Sequence, residues 1–185
     1  TQEAWLRRNL LLMKKANVNA IRTHFLGPRC LADLCDELGI YLLQELPVDW
    51  GTDYIHDPEW MPPALMRIEG GIRRDRHHPS VMVWSIGNEN MPNTPENAEA
   101  GWRHLRQYEG LAKRLDPSRP TMFPPPGPAN AIDGIIELRV GDIADTHYSF
   151  NHIKRFLENG EVVNPNSWQA DMDTHTREWA LERGW

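Results

Sequence analysis

The chain lacks the glycine-rich phosphate loops that mark nucleotide-binding folds: no G-x-G-x-x-G and no G-x-x-x-x-G-K-S/T pattern occurs in it. Cysteine is scarce. Cys30 and Cys35 are five positions apart on one predicted helix, a poor offset for a bridge across a helix face, so both read as ordinary thiols that say little about compartment. Basic residues are outnumbered 20 to 26, for a net charge of -6, and no basic stripe interrupts the balance. That argues against nucleic acid and against an anionic membrane surface as partners and leaves neutral or polar small molecules. A basic n-region and an apolar h-region are both missing, so no targeting segment is expected; Thr1, which opens inside a helical pattern, is not expected to begin the natural protein. A metal set of His24, Asp145 and His147 is conceivable, but nothing in their spacing favours it, and neither metal nor cofactor is expected.

What is present is the composition of a soluble globular domain. With 185 residues, 40% hydrophobic and 25% charged, the chain can bury one core. Eight tryptophans are many for this length; core packing accounts for most, and flat surfaces for ligand stacking are the alternative use.

Hydrophobic spacing predicts a helix over 2–16, a strand over 20–25 broken by Gly27-Pro28, and a helix carrying Leu31, Leu34, Cys35 and Leu38 with Gly39 as its cap. A strand over 40–46 follows, then an aperiodic loop over 49–61 whose Trp50, Tyr54 and Trp60 could wall a pocket. Pro62-Pro63 open a third helix that ends in Arg73, Arg74 and Arg76. Val81 to Ile86 is a short apolar run between Pro79 and Gly87, the pattern of a strand covered on both faces. Thr94-Pro95 begin a long helix to Leu115; strands at 121–123 and 142–148 and helices at 153–157 and 174–183 complete the prediction. Strand and helix alternate, which implies a parallel sheet with right-handed crossovers. Without a phosphate loop, a (β/α)8 barrel is the better reading than a doubly wound sheet. Such barrels need about 250 residues, so residues 1–185 are expected to be a fragment of a single barrel domain.

The predicted strands end in polar groups: Arg22 with His24, Gln44 with Glu45, Asn88 with Glu89, and His147 with Tyr148. In a barrel all of these meet at one face. A carboxylic acid beside an amide and an arginine suits acid-assisted cleavage of an acetal, with a second carboxylate as nucleophile. His77 and His78 fall at the opposite end of their strand and read as capping or packing residues. Trp84 reads as core, and Glu45 as a structural partner for a neighbouring base.

Three motifs, in this order, carry a resemblance. Asn17-Val18-Asn19-Ala20-Ile21-Arg22-Thr23, then Leu34-Cys35-Asp36-Glu37-Leu38-Gly39-Ile40-Tyr41, then Arg74-Asp75-Arg76-His77-His78-Pro79-Ser80-Val81 running into Trp84-Ser85-Ile86-Gly87-Asn88-Glu89 resemble the catalytic barrel of glycoside hydrolase family 2 over roughly residues 6 to 148. The family includes β-galactosidases, β-glucuronidases and β-mannosidases. The resemblance implies a partial TIM barrel, approximately strands 2 to 6 of eight, and hydrolysis of O-glycosidic bonds with retention. It implies that Glu89 is the general acid/base, that Asn88 contacts the hydroxyl beside the anomeric carbon, that Arg22 lies near the nucleophile, and that Tyr148 hydrogen-bonds it. His24 and His147 join the expected substrate contacts from their places at strand ends.

Two departures stand beside the resemblance. His24-Phe25-Leu26-Gly27-Pro28 replaces the family's usual Ser-His-Tyr-Pro, and Gln44-Glu45 stands where Asp-Glu is frequent. The nucleophilic glutamate belongs after Tyr148, yet Glu158, Glu161, Glu178 and Glu182 fall in helix or loop context. The expectation is that it lies beyond Trp185, that this fragment alone is inactive, and that its partners are a carbohydrate substrate and the remaining domains of the parent polypeptide. The rival expectation is a barrel that binds carbohydrate without cleaving it or serves as a scaffold. An open barrel also exposes strand edges that neighbouring segments or chains have to cover.

Overall fold

Several of the helix boundaries have a local cause. In the computed structural model, residues 1–48, 59–88, 95–124 and 140–144 are described, with 95–100 and 144 described as backbone only. Helix α1 (Gln2–Lys15) starts under the Thr1 hydroxyl, which accepts from the Ala4 N–H at 3.3 Å, and stops at Asn17, whose φ of 63° leaves the helical region. Helix α2 (Arg29–Leu38) ends at Gly39 in the left-handed conformation, where a residue without Cβ carries no steric cost. Helix α3 (Met61–Asp75) takes Pro62 and Pro63 into its first turn and sets Arg73 and Arg74 in its last. Helix α4 (Pro95–Leu115) is stopped by the Asp116 to Pro120 segment.

Strands β1 (Ala20–Arg22), β2 (Tyr41–Glu45), β3 (Val81–Ser85), β4 (Thr121–Phe123) and β5 (Ile143–Ala144) form one sheet in that order, every pairing parallel. The spatial order repeats the chain order. With right-handed crossovers, such an order lays α2, α3 and α4 on the same side of the sheet, where α3 packs on α4 and α1 on α2. A doubly wound sheet would reverse direction and put helices on both faces; a sheet wound in one sense curls toward a barrel.

The core lies between sheet and helices. Leu34, Cys35, Ile40, Leu42, Ile68, Ile72, Trp84, Leu105, Tyr108 and Phe123 are its buried members. Trp84 is completely buried and donates its indole N–H to Asp116 at 2.9 Å, so it is a core residue. Trp60 is engaged with the helix layer: the Arg67 guanidinium stacks on its ring, 5.6 Å from the centroid, and its side chain hydrogen-bonds Tyr108.

Two predictions are corrected at the strand level. The strand predicted over 20–25 stops at Arg22, because Phe25 adopts φ 71°, a left-handed turn that no strand accommodates. Gln44 and Glu45, read together as strand-end polar groups, point to opposite faces. Gln44 is opposite the core residue Trp84 and Glu45 is opposite Ser85.

That pairing depends on a bulge. Leu42 partners Val81 but Leu43 partners Val83, so Met82 has no partner in the ladder and the register advances by one residue. Were Met82 paired in an unbroken ladder, Glu45 would lie opposite Trp84. Trp50 and Tyr54, the Thr94 cap, the proline run beyond Pro124, residues 145–148 of the last predicted strand and both C-terminal helices lie outside the described residues.

Among the described residues, no helix is long and apolar enough to cross a membrane.

Candidate active site

The carboxyl ends of β1, β2 and β3 bring three polar side chains to one face. Arg22 is the last residue of β1 and is registered with Leu43, two positions before Glu45; Glu45 is the last of β2 and is opposite Ser85, the last of β3. Alternation along each strand therefore places Arg22, Glu45 and Ser85 on the face away from Trp84. Asn88 follows three residues beyond Ser85 and is buried.

Glu45 is the centre of this group, and its side chain is 0% exposed. One oxygen, Oε2, accepts from Arg22 Nε at 3.0 Å, from Arg22 Nη2, and from Ser85 Oγ at 3.3 Å. The other, Oε1, has His24 Nδ1 at 2.9 Å. The Glu45 backbone N–H is held by Thr23 Oγ1 at 3.3 Å. Arg22 Nη2 also donates to Asn88 Oδ1, so the guanidinium spans from a fully buried carboxylate to the amide. A buried carboxylate is tolerated only when paired, and Arg22, three-quarters buried itself, supplies that pairing.

Ser85 extends the network to the turn beyond β3. Its hydroxyl lies within hydrogen-bond distance of both Glu45 Oε2 and the Gly87 carbonyl, the latter at 3.0 Å, and so ties the strand end to the turn that leads into Asn88. His24 stands at the rim, half exposed, with its ring against Phe25 at 4.5 Å between centroids.

Of the residues predicted for the site, Arg22, His24 and Asn88 are thus brought together around Glu45. Glu89, His147 and Tyr148 lie outside the described residues. Sequence reasoning missed Ser85 and Thr23. The signal for Ser85 was available, since it is the one hydroxyl in the apolar run from Val81 to Ile86.

The opposite end of the sheet is built for cohesion. His78 Nδ1 lies 2.6 Å from Asp36 Oδ2, and the Ser80 N–H donates to Asp36 Oδ1 at 2.9 Å, which fastens the α3–β3 turn to α2. Burial alone would raise the Asp36 carboxyl, but hydrogen bonds from Ser80 and His78 hold it below its ordinary value. Arg119 donates to the carbonyls of Val81, Arg76 and His78 and pairs with Asp116 at 2.6 Å. Burial would likewise raise Asp116, yet bonds from Ser118, Trp84 and Arg119 outweigh it and bring the carboxyl down to about 2. His78 is accordingly a packing residue, as its place at the strand's amino end implied. Among the described residues, no group of three or more His, Cys, Asp or Glu side chains converges as metal ligands would.

A parallel sheet wound in one sense, with charged and amide side chains gathered at the carboxyl ends of neighbouring strands and structural pairs at the amino ends, defines the (β/α)-barrel class of protein. Residues 1–173 match the family described as glycosyl hydrolases family 2, TIM barrel domain, and the chain belongs to that family. Over 140 residues it is 34% identical to a β-galactosidase of Vibrio cholerae and 32% identical to β-galactosidase 2 of Enterobacter cloacae. In each case 72% of this chain is covered but 13% of the relative, so the chain spans about an eighth of the curated relatives' length. Among solved structures, the β-glucuronidase of Parabacteroides merdae superposes with a TM-score of 0.61 at 27% identity, covering 79% of this chain and 18% of that one.

Proposed function

We propose that these residues form part of the catalytic barrel of a retaining β-glycosidase, contributing approximately strands two to six of eight. Glu89 is the general acid/base, which protonates the departing glycosidic oxygen and then deprotonates the attacking water. Asn88 holds the sugar hydroxyl beside the anomeric carbon. Arg22 stands near the nucleophile, Tyr148 hydrogen-bonds it, and His24 and His147 complete the substrate contacts. The nucleophilic carboxylate is assigned to a part of the parent polypeptide outside this chain, so residues 1–185 alone are inactive. No metal or other cofactor enters the scheme.

The observation that supports this reading best is the Glu45–Arg22–Asn88 chain of hydrogen bonds at the carboxyl ends of adjacent strands. It fixes an amide and a cation side by side, one residue before Glu89, in the place where barrel enzymes do their chemistry. The arrangement suits an oxocarbenium-like transition state, because the amide orients a hydroxyl while the cation keeps a facing carboxylate ionised.

The test uses the longer polypeptide that carries this chain. Glu89→Ala is expected to abolish cleavage of unactivated β-glycosides while retaining more turnover of aryl glycosides with good leaving groups, with azide restoring activity. Wild-type rates on unactivated substrates would overturn the assignment. Carbohydrate binding without cleavage by the unmutated polypeptide would support the non-catalytic carbohydrate-binding or scaffold reading.

A further inference from the structure

We infer that Glu45 is the positioning residue of this site, with each oxygen aligning a different partner: Oε2 holds Arg22 against Asn88, and Oε1 fixes His24 as the tautomer protonated on Nδ1, so that Nε2 faces the open side as a hydrogen-bond acceptor for a ligand hydroxyl. The inference rests on the glycosidase reading for its catalytic consequence and on the geometry alone for its structural part.

The division of labour follows from donors and acceptors. An ionised carboxylate only accepts. Oε2 already takes Arg22 Nε, Arg22 Nη2 and Ser85 Oγ, whereas Oε1 forms no hydrogen bond within strict angular limits and its near neighbour is His24 Nδ1 at 2.9 Å. A neutral imidazole carries one N–H, and a bare Nδ1 lone pair facing a carboxylate oxygen would be repelled; at this distance the proton belongs on Nδ1. Nε2 is then the acceptor, on a side chain that is half exposed.

The backbone supports the same placement. Phe25, a bulky residue, is held at φ 71°, a conformation that strains any residue with a Cβ. That turn lays the Phe25 ring against His24, with centroids 4.5 Å apart and planes inclined by 53°. The imidazole is therefore in contact with both a carboxylate and an aromatic ring.

Glu45→Gln is the discriminating change because it preserves shape. A glutamine must turn its NH2 either toward the Arg22 donors, dislodging the guanidinium, or toward His24, forcing the proton to Nε2 and replacing the acceptor with a donor. The tautomer is read directly from the 15N shifts of the His24 ring, and activity from kcat and KM of the longer polypeptide on an aryl β-glycoside. In the unmutated protein His24 should carry its proton on Nδ1. Glu45→Gln should move that proton to Nε2 or detach Arg22 from Asn88 in the variant's crystal structure, and kcat/KM should fall ~100-fold, the loss that ~1 Å of misplacement causes. Glu45→Asp, which keeps the carboxylate, should restore part of kcat. The inference is overturned if unmutated His24 is protonated on Nε2, or if Glu45→Gln keeps kcat/KM within about three-fold of the parent value. The tautomer measurement needs neither a variant nor turnover, so it decides the structural part even where the glycosidase reading fails.

Discussion

Replacing Asp116 with asparagine tests the physics of the amino-terminal end of the sheet. The carboxylate receives the Ser118 N–H and hydroxyl on Oδ1, and Trp84 Nε1 at 2.9 Å and Arg119 Nη1 at 2.6 Å on Oδ2. These bonds outweigh burial and take the carboxyl from its ordinary 3.8 down to about 2. The interval corresponds to about 2 kcal/mol of stability. The folded chain binds this proton more weakly than the unfolded chain, so the contribution is complete above about pH 5 and drains as the pH falls toward 2, with about half gone by pH 3. Asparagine forfeits that charge-dependent part and must also point an NH2 at one pair of donors, which adds about 1–2 kcal/mol at every pH. Urea unfolding followed by tryptophan fluorescence should therefore show Asp116→Asn less stable by about 3–4 kcal/mol at pH 7, and by about 1 kcal/mol less than that at pH 3. A deficit that does not change between pH 7 and pH 3, or one below about 0.5 kcal/mol, would refute the reasoning.

Two further outcomes are expected. Gly70 and Gly71 are neighbours on α3 with opposite surroundings: a Cβ on Gly70 meets nothing within 4 Å, whereas one on Gly71 would lie 2.9 Å from Leu26 Cδ1 and 3.1 Å from Leu46 Cδ2. Gly70→Ala should raise stability by up to about 1 kcal/mol through helix propensity, while Gly71→Ala should lower it by about 1 kcal/mol as overpacking exceeds that gain. Urea midpoints that shift in the same direction would contradict the packing argument. Cys35 is fully buried, and burial first, then Asp36, pushes its thiol up to about 11. At pH 8 a thiol reagent should titrate only Cys30 of the two cysteines in the folded protein, and both in urea; two fast thiols without denaturant would be the contrary result.

How much of this was legible in the sequence follows the range of each interaction. Helix α2 could be read because Leu31, Leu34, Cys35 and Leu38 repeat at helical spacing and Gly39 supplies the cap, all within one segment. The singly wound sheet could be read from the alternation of strand and helix, and Arg22 and Asn88 from their places at strand ends. Glu45 was visible as a partner for a base, but not as the meeting point of Arg22, His24 and Ser85, because that requires the relative register of three strands. Gln44 and Glu45 look equivalent in one dimension and face opposite ways in three. The end of β1 was misread because nothing local announces that Phe25, a good strand former, takes a positive φ.

The unpartnered Met82 gives the sheet a phase. Its side chain is exposed, so its chemical identity matters little there, but its exclusion from the ladder decides which of its successors looks into the site and which into the helices. Drawing it into an unbroken ladder, opposite Leu43, would present Trp84 to Arg22 and send Ser85 toward Asp116, inverting the polarity of two surfaces without altering any of the residues that form them. Substituting Met82 and re-pairing it thus differ in kind: the first edits a side chain, while the second exchanges inside for outside. In this sheet the chemistry of the mouth depends on which residues pair as much as on their names.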